Sequence, residues 1–251
     1  MRAGRRDAQA SSLTTNRRFY GALWSETAIV SPERFNTWPL LSGLAARAAA
    51  RLELGPGLRP RLPIAGTWFV DISREALAQL GARGGLATQC DTAALPFHDG
   101  VFDLACAFDI VEHVDDDRQI LRELRRVTRP GATIVFAVPL HPRRWSPFDD
   151  LVGHVRRYEP AELLSTLRAH DLVLERSATF GMEPKSRLLL RLAAWALEHR
   201  REQAMRWYNA FLMPLGLRLQ RPLAFSPGML DAADVGEVLL VCRRVGGTGG
   251  D

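Results

Sequence analysis

Between Arg51 and Val138, five short apolar runs recur with room for a helix or a long loop between them. They are Arg51–Leu54, Thr67–Asp71, Leu86–Cys90, Phe102–Phe108 and Ala132–Val138. Each is apolar almost throughout, not at alternate positions only. Strands that read this way are buried on both faces, as in a parallel sheet covered by helices. The clearest helix spans about Asp116–Val127, with Ile120, Leu121, Leu124 and Val127 on one face. Asp115 to Asp117 can cap its start, and Pro130-Gly131 follow its end. Alternation of this kind requires right-handed crossovers and an open α/β sheet.

Two strand ends in this series carry unusual chemistry. The first run closes on Glu53-Leu-Gly55-Pro-Gly57 and the second on Phe69-Val-Asp71. Closely spaced glycines let backbone approach a ligand, and an aspartate at the neighbouring strand end accepts hydrogen bonds from ribose hydroxyls. The pair describes a nucleotide-type cofactor crevice at the carboxyl ends of two adjacent parallel strands.

At 251 residues and 47% hydrophobic content, one α/β domain with additions is expected. Residues 1–18 read as a disordered basic tail and 19–50 as an N-terminal helical cap with aromatic anchors. The remainder, 51–251, reads as the main domain, with a helical insertion at about 181–234. After Pro160–Ala169 (helix) and Val173–Phe180 (strand), the insertion carries amphipathic helices at about Ser186–His199 and Glu202–Leu212. Val238–Cys242 then returns as a strand. The net charge of +5 is concentrated in residues 1–18 and 185–222, leaving a mildly acidic middle. A core without a basic stripe argues against nucleic acid as a partner. Cys90, Cys106 and Cys242 sit apart in strand-like runs and read as buried reduced thiols. With no uncharged run of 18 apolar residues and no secretory pattern, a cytoplasmic location is expected.

An ordered series after Asp71 narrows the cofactor. It comprises Phe69-Val-Asp71-Ile-Ser73, Cys90-Asp91-Thr-Ala-Ala-Leu95-Pro96-Phe97, Gly100-Val-Phe102-Asp103-Leu, Val111-Glu112-His113-Val, Leu121-Arg-Glu123-Leu-Arg-Arg-Val127 and Arg129-Pro130-Gly131. Together with the glycine motif it resembles the class I S-adenosylmethionine-dependent methyltransferases of the small-molecule type. That resemblance covers residues 51–138 well and 139–180 loosely. It implies a Rossmann-like α/β fold with a seven-stranded, mostly parallel sheet in the order 3-2-1-4-5-7-6 and helices on both faces. The cofactor it implies is S-adenosylmethionine. Gly55, Pro56 and Gly57 would cradle it, Asp71 and Ile72 would meet the ribose and adenine side, and Glu53 would orient the loop. Asp91 and Thr92 would lie near the adenine amino group, and Phe108, Asp109 and His113 at the rim. One departure is visible: Pro60 and Pro63 stand where the family has a third glycine and a helix.

The acceptor side is read more coarsely. His113 or His154 would serve as base and Tyr158 could activate a hydroxyl, because a hydroxyl acceptor must lose a proton. Tyr20, Trp24, Trp38, His141 and Arg157 would line the acceptor site. The aromatic lining points to an apolar or aromatic small metabolite and favours O-methylation. A cofactor-binding scaffold without methyl transfer and a membrane-surface lipid methyltransferase are the alternatives. Asp109, Glu112 and His113 also resemble an acidic-acidic-His set that holds a divalent metal in some quinone-biosynthesis O-methyltransferases, but the expectation here is no metal. The insertion fits three uses: a lid over the acceptor, a homodimer face, or a peripheral membrane contact through 185–222. A lid over an apolar acceptor is expected.

Overall fold

The computed structural model describes residues 28–181, 195–196 and 199–246. Its centre is a sheet of eight strands: β1 (Arg51–Leu54), β2 (Thr67–Asp71), β3 (Leu86–Gln89), β4 (Phe102–Phe108), β5 (Thr128–Pro139), β6 (Leu172–Thr179), β7 (Ser226–Pro227) and β8 (Glu237–Arg244). The order is β3-β2-β1-β4-β5-β8-β6-β7. Strands β1 to β5 are mutually parallel, and β8 runs antiparallel between β5 and β6. Seven strands therefore take the expected order. The eighth, β7, pairs with β6 through Arg176 and Ser177 only. It lies inside the stretch read as a helical insertion. A two-residue strand containing proline has no periodicity to detect, and it is tolerated only at a sheet edge.

Burial explains the continuous apolar runs. Leu52, Leu54, Phe69, Val70, Ala105, Ala107, Ile134 and Val135 are almost wholly enclosed, their side chains pointing alternately to the two covered faces. One face packs against α3 (Asp117–Val127) through Ile120, Leu121, Leu124 and Val127. Asp116 caps that helix by accepting from Gln119 N–H. The opposite face is covered by α1 (Trp38–Ala45), where Leu41 and Ala45 meet Leu104, Cys106 and Val135. Strand β5 starts four residues earlier than the sequence suggests, directly after α3. A register shift opposite Phe102 and Leu104 absorbs Arg129-Pro-Gly.

No helix joins β1 to β2. The prolines at 60 and 63 prevent it, and a folded loop fills the space instead. Leu58 and Leu62 are fully enclosed, and Leu58 C=O accepts from Val30 N–H. Ile29 joins Leu58, Phe69, Leu77 and Leu80 in a common cluster, with Leu77 and Leu80 supplied by α2 (Arg74–Gly81). The N-terminal segment thus covers sheet surface that a crossover helix would otherwise cover.

Beyond β5 the chain forms α4 (Pro147–Val152) and α5 (Pro160–Arg168). In the insertion, α6 (Arg201–Trp207) continues through a π-helical turn (Tyr208–Leu212) into α7 (Met213–Leu219). Met213 and Leu217 of α7 seat against Phe35. Leu188–Leu192 lie outside the described residues, as do Tyr20 and Trp24. Among the described residues, no helix is long and apolar enough to cross a membrane.

Candidate active site

The loops at the carboxyl ends of β1, β2 and β4 approach one another. Gly55 adopts φ +58° and Gly57 φ +51°, conformations that side chains resist. A Cβ at Gly55 would also overlap the Ile110 side chain. Gly55 N–H donates to Val70 C=O at 2.7 Å, which holds the loop against the end of β2. Gly57 N–H donates to Asp71 Oδ2 at 2.9 Å, and Ser73 N–H to Asp71 Oδ1 at 2.8 Å. Each carboxylate oxygen of Asp71 thus takes one backbone donor and keeps acceptor capacity for a ligand. Burial raises the Asp71 pKa, against the lowering by Ser73, Gly57 and Ile72 amides.

Glu53 works beneath the loop. It is buried and accepts from Arg61 N–H at 2.8 Å and Leu62 N–H at 2.9 Å, closing the proline-containing turn onto β1. Burial pushes its pKa up to about 7, although the Leu62 and Arg61 amides and the Arg61 charge pull the other way. The folded chain therefore keeps a proton that the unfolded chain releases near 4.5. Stability contributed by Glu53 is full below that value and is lost as pH rises towards 7, on the order of 3 kcal/mol across the window. Urea unfolding from pH 4.5 to 8 should show this decline in the wild type relative to Glu53→Gln. A constant difference between the two proteins would mean that Glu53 is ionised when folded.

Asp91 accepts from Ala93 N–H at 2.9 Å, an exposed turn after β3 beside Thr92. Ile72 is half-buried at the end of β2, its carbonyl held by Gln89 Nε2. At the end of β4, Phe108 packs against Phe180, and the Arg61 guanidinium lies over Phe35 at 3.8 Å from the ring centroid. Asp109 takes φ +53° and turns its carboxyl to Glu237 on β8. Burial raises the Asp109 pKa despite that hydrogen bond and the nearby Arg61.

A 3-10 turn, Val111–His113, follows β4 and faces the loop after α4. His113 Nδ1 donates to Gly153 C=O at 3.1 Å. The His113 and His154 rings meet edge to face, centroids 4.7 Å apart. His154 Nδ1 donates to Asp149 Oδ1 at 2.8 Å, and its Nε2 lies 3.8 Å from Glu112 Oε1. Glu112 is fully buried, and neither of its carboxylate oxygens has a hydrogen-bond partner. Burial, with Asp109 adding to it, holds the Glu112 pKa well above the carboxylate range. Burial and the neighbouring His154 depress His113 to about 3, so its ring is neutral at ordinary pH.

Residues 55–136 match a family model described as a methyltransferase domain. These residues form a methyltransferase domain of the S-adenosylmethionine-dependent kind. An uncharacterized methyltransferase of Mycolicibacterium gilvum is 30% identical over 129 residues, which cover 48% of this chain and 49% of that protein. Norajmaline N-methyltransferase of Rauvolfia serpentina is 44% identical over 57 residues, covering 23% of this chain and 19% of its own. The chain thus spans about half the length, or less, of these curated relatives. A Thermotoga maritima protein described as a possible histamine N-methyltransferase superposes with a TM-score of 0.54 at 15% identity, covering 83% of this chain and 90% of its own. That likeness is one of fold.

S-adenosylmethionine is the cofactor of this methyltransferase domain, and the chemistry of the loops after β1 and β2 suits it. Only a glycine is accommodated at 55, and Asp71 presents a buried carboxylate where ribose hydroxyls would lie.

On the acceptor side the structure redistributes the sequence expectations. Tyr158 donates its hydroxyl to Asp117 Oδ2 at 2.9 Å, and burial together with Asp117 pushes its pKa far up. It braces α3 and is not poised to take a proton. His141 is buried with Nε2 bonded to Ala232 C=O at 2.6 Å, tying β5 to the segment before β8. Arg157 is buried too, its Nε donating to Asp149 Oδ1 at 2.7 Å. Both are tied into the framework by these bonds. Trp38 lines a separate cavity of about 390 Å³ with Phe35, Leu217 and Phe225.

Asp149 is the residue that sequence reasoning missed. It is fully enclosed and receives His154, Arg157, Ser146 N–H and Ser146 Oγ. Burial alone would raise its pKa, but those donors outweigh it and hold the carboxyl well below the usual range. The signal was present in Ser146-Pro-Phe-Asp149, a capping-box spacing realised at the start of α4.

Proposed function

We propose that the protein transfers the methyl group of S-adenosylmethionine to a hydroxyl of a small apolar or aromatic metabolite. The cofactor supplies an already activated sulfonium methyl, so the chain's task is to orient the acceptor and exclude water. Asp71 and the Gly55–Gly57 loop would hold the cofactor so that its methyl faces the rim after β4. The observation that carries the reading is the His154–Asp149 pair, which aims one polar nitrogen at that rim from an otherwise enclosed wall. The Asp149 carboxylate fixes the His154 ring and its tautomer, leaving the Nε2 lone pair for the reaction side. His154 is therefore the residue through which the acceptor hydroxyl is activated, and His113 packs beside it.

The test is transfer of labelled methyl into apolar small-molecule extract, comparing wild type with His154→Gln. Turnover should fall at least about 100-fold in the variant, the scale of a lost acid–base group, with cofactor affinity nearly unchanged. Wild-type turnover in the variant, or label appearing only in protein or RNA, would overturn the reading. A nitrogen acceptor is the second reading, favoured by the matched segment of norajmaline N-methyltransferase. A neutral amine needs no activation, so N-methylation would leave the His154→Gln rate close to wild type.

A further inference from the structure

The outer face of the insertion carries apolar groups that the described fold leaves uncovered. Among the described residues, eleven large hydrophobic side chains are exposed, and five of them fall between 207 and 219. Trp207, Phe211, Leu215 and Leu219 recur every fourth residue along α6, the π-helical turn and α7, with exposures of 59%, 60%, 52% and 70%. Leu212, equally exposed, adjoins Phe211. The Trp207 and Phe211 rings meet with centroids 4.9 Å apart. Residues four apart share one side of a helix, so these groups form a stripe. Single exposed apolar residues are ordinary, but a contiguous stripe marks an interaction site. The stripe is not a core face waiting for the sheet. The inner side of the same element is already engaged, with Met213 and Leu217 buried against Phe35. The end of α7 is held as well: Asn36 N–H donates to Gln220 Oε1 at 2.6 Å and Asn36 Nδ2 to Arg221 C=O at 2.9 Å.

We propose that this face is a docking surface for an anionic lipid bilayer. Charge decides the occupant. Arg200, Arg206, Arg218 and Arg221 are exposed on or beside the same element, and residues 200–221 carry five arginines against one glutamate. A second copy, meeting through an isologous contact, would set that positive excess against itself. An anionic bilayer neutralises it instead. The apolar groups fit the same occupant. Tryptophan settles at headgroup level, phenylalanine and leucine reach the acyl chains, and arginines extend their stems to keep the guanidinium at the phosphates. Arg206 at one end of the stripe and Arg218 at the other suit an element that lies in the plane of the interface and does not cross it.

The experiment sediments the full chain with vesicles of phosphatidylcholine alone and with vesicles of equal parts phosphatidylcholine and phosphatidylglycerol. Binding to the anionic vesicles is expected, at least about 10-fold tighter than to the neutral ones and weakened by salt. The double variant Trp207→Gln, Phe211→Gln should bind anionic vesicles at least about 10-fold more weakly. Its melting temperature and S-adenosylmethionine affinity should stay at wild-type values, because both side chains lie outside the core. Arg206→Gln with Arg218→Gln should reduce the preference for anionic over neutral vesicles several-fold. Absence of binding to anionic vesicles would overturn the proposal, as would undiminished binding by the Trp207 and Phe211 double variant. Self-association of the lipid-free protein that the same double variant abolishes would assign the face to a second copy and overturn it as well. Vesicle binding is read without methyl transfer, so its outcome leaves the proposed function untouched.

Discussion

Asp71→Asn is expected to weaken S-adenosylmethionine binding at least about 100-fold by calorimetric titration. Hydrogen bonds to a charged partner contribute about 1.5–3 kcal/mol each, and two ribose hydroxyls lie within the reach of one carboxylate. Two such bonds correspond to two or more decades of affinity. The substitution also reaches the loop itself. An amide nitrogen cannot accept from Gly57 N–H or Ser73 N–H, so one of these 2.8–2.9 Å anchors is lost. The glycine turn then loses its tie to the end of β2. Affinity retained within a factor of a few would move the cofactor away from this crevice.

Asp149→Ala should cost about 3–5 kcal/mol in urea unfolding, the penalty for breaking a buried ion pair from one side. Arg157, itself buried, loses the carboxylate at 2.7 Å, and α4 loses the side chain that closes its first turn onto Ser146. His154 loses the acceptor that sets its ring, so cofactor binding should persist in the folded fraction while methyl transfer does not. A cost below about 1 kcal/mol would show that Arg157 and Ser146 find other partners and that Asp149 is not the hub of this loop.

How far these features were legible differs along the chain. The parallel half of the sheet was readable because burial on both faces leaves a continuous apolar signature, so β1, β2 and β4 fall where the runs predict them. The loop after β1 was readable because Gly55, Gly57 and Asp71 lie within 17 residues, and the Asp71 carboxylate accepts from Gly57 N–H at the strand ends. β7 was not legible, since Ser226 and Pro227 pair with β6 through position and not propensity. The acceptor side was the least legible. His141, Arg157 and Tyr158 have the chemistry of binding residues, but their partners Ala232, Asp149 and Asp117 are 91, 8 and 41 residues away.

The sequence by itself determined the fold class and the methyltransferase domain, because those rest on local periodicity and on short motifs. Only the tertiary structure decided which polar groups meet at the rim after β4. Glu112 and His113 stand side by side in sequence, but His154 joins them only when the loop after α4 folds back over the turn after β4. The burial that leaves Glu112 without a hydrogen bond, and the hydrogen bonds that lock both imidazoles, are properties of that packing.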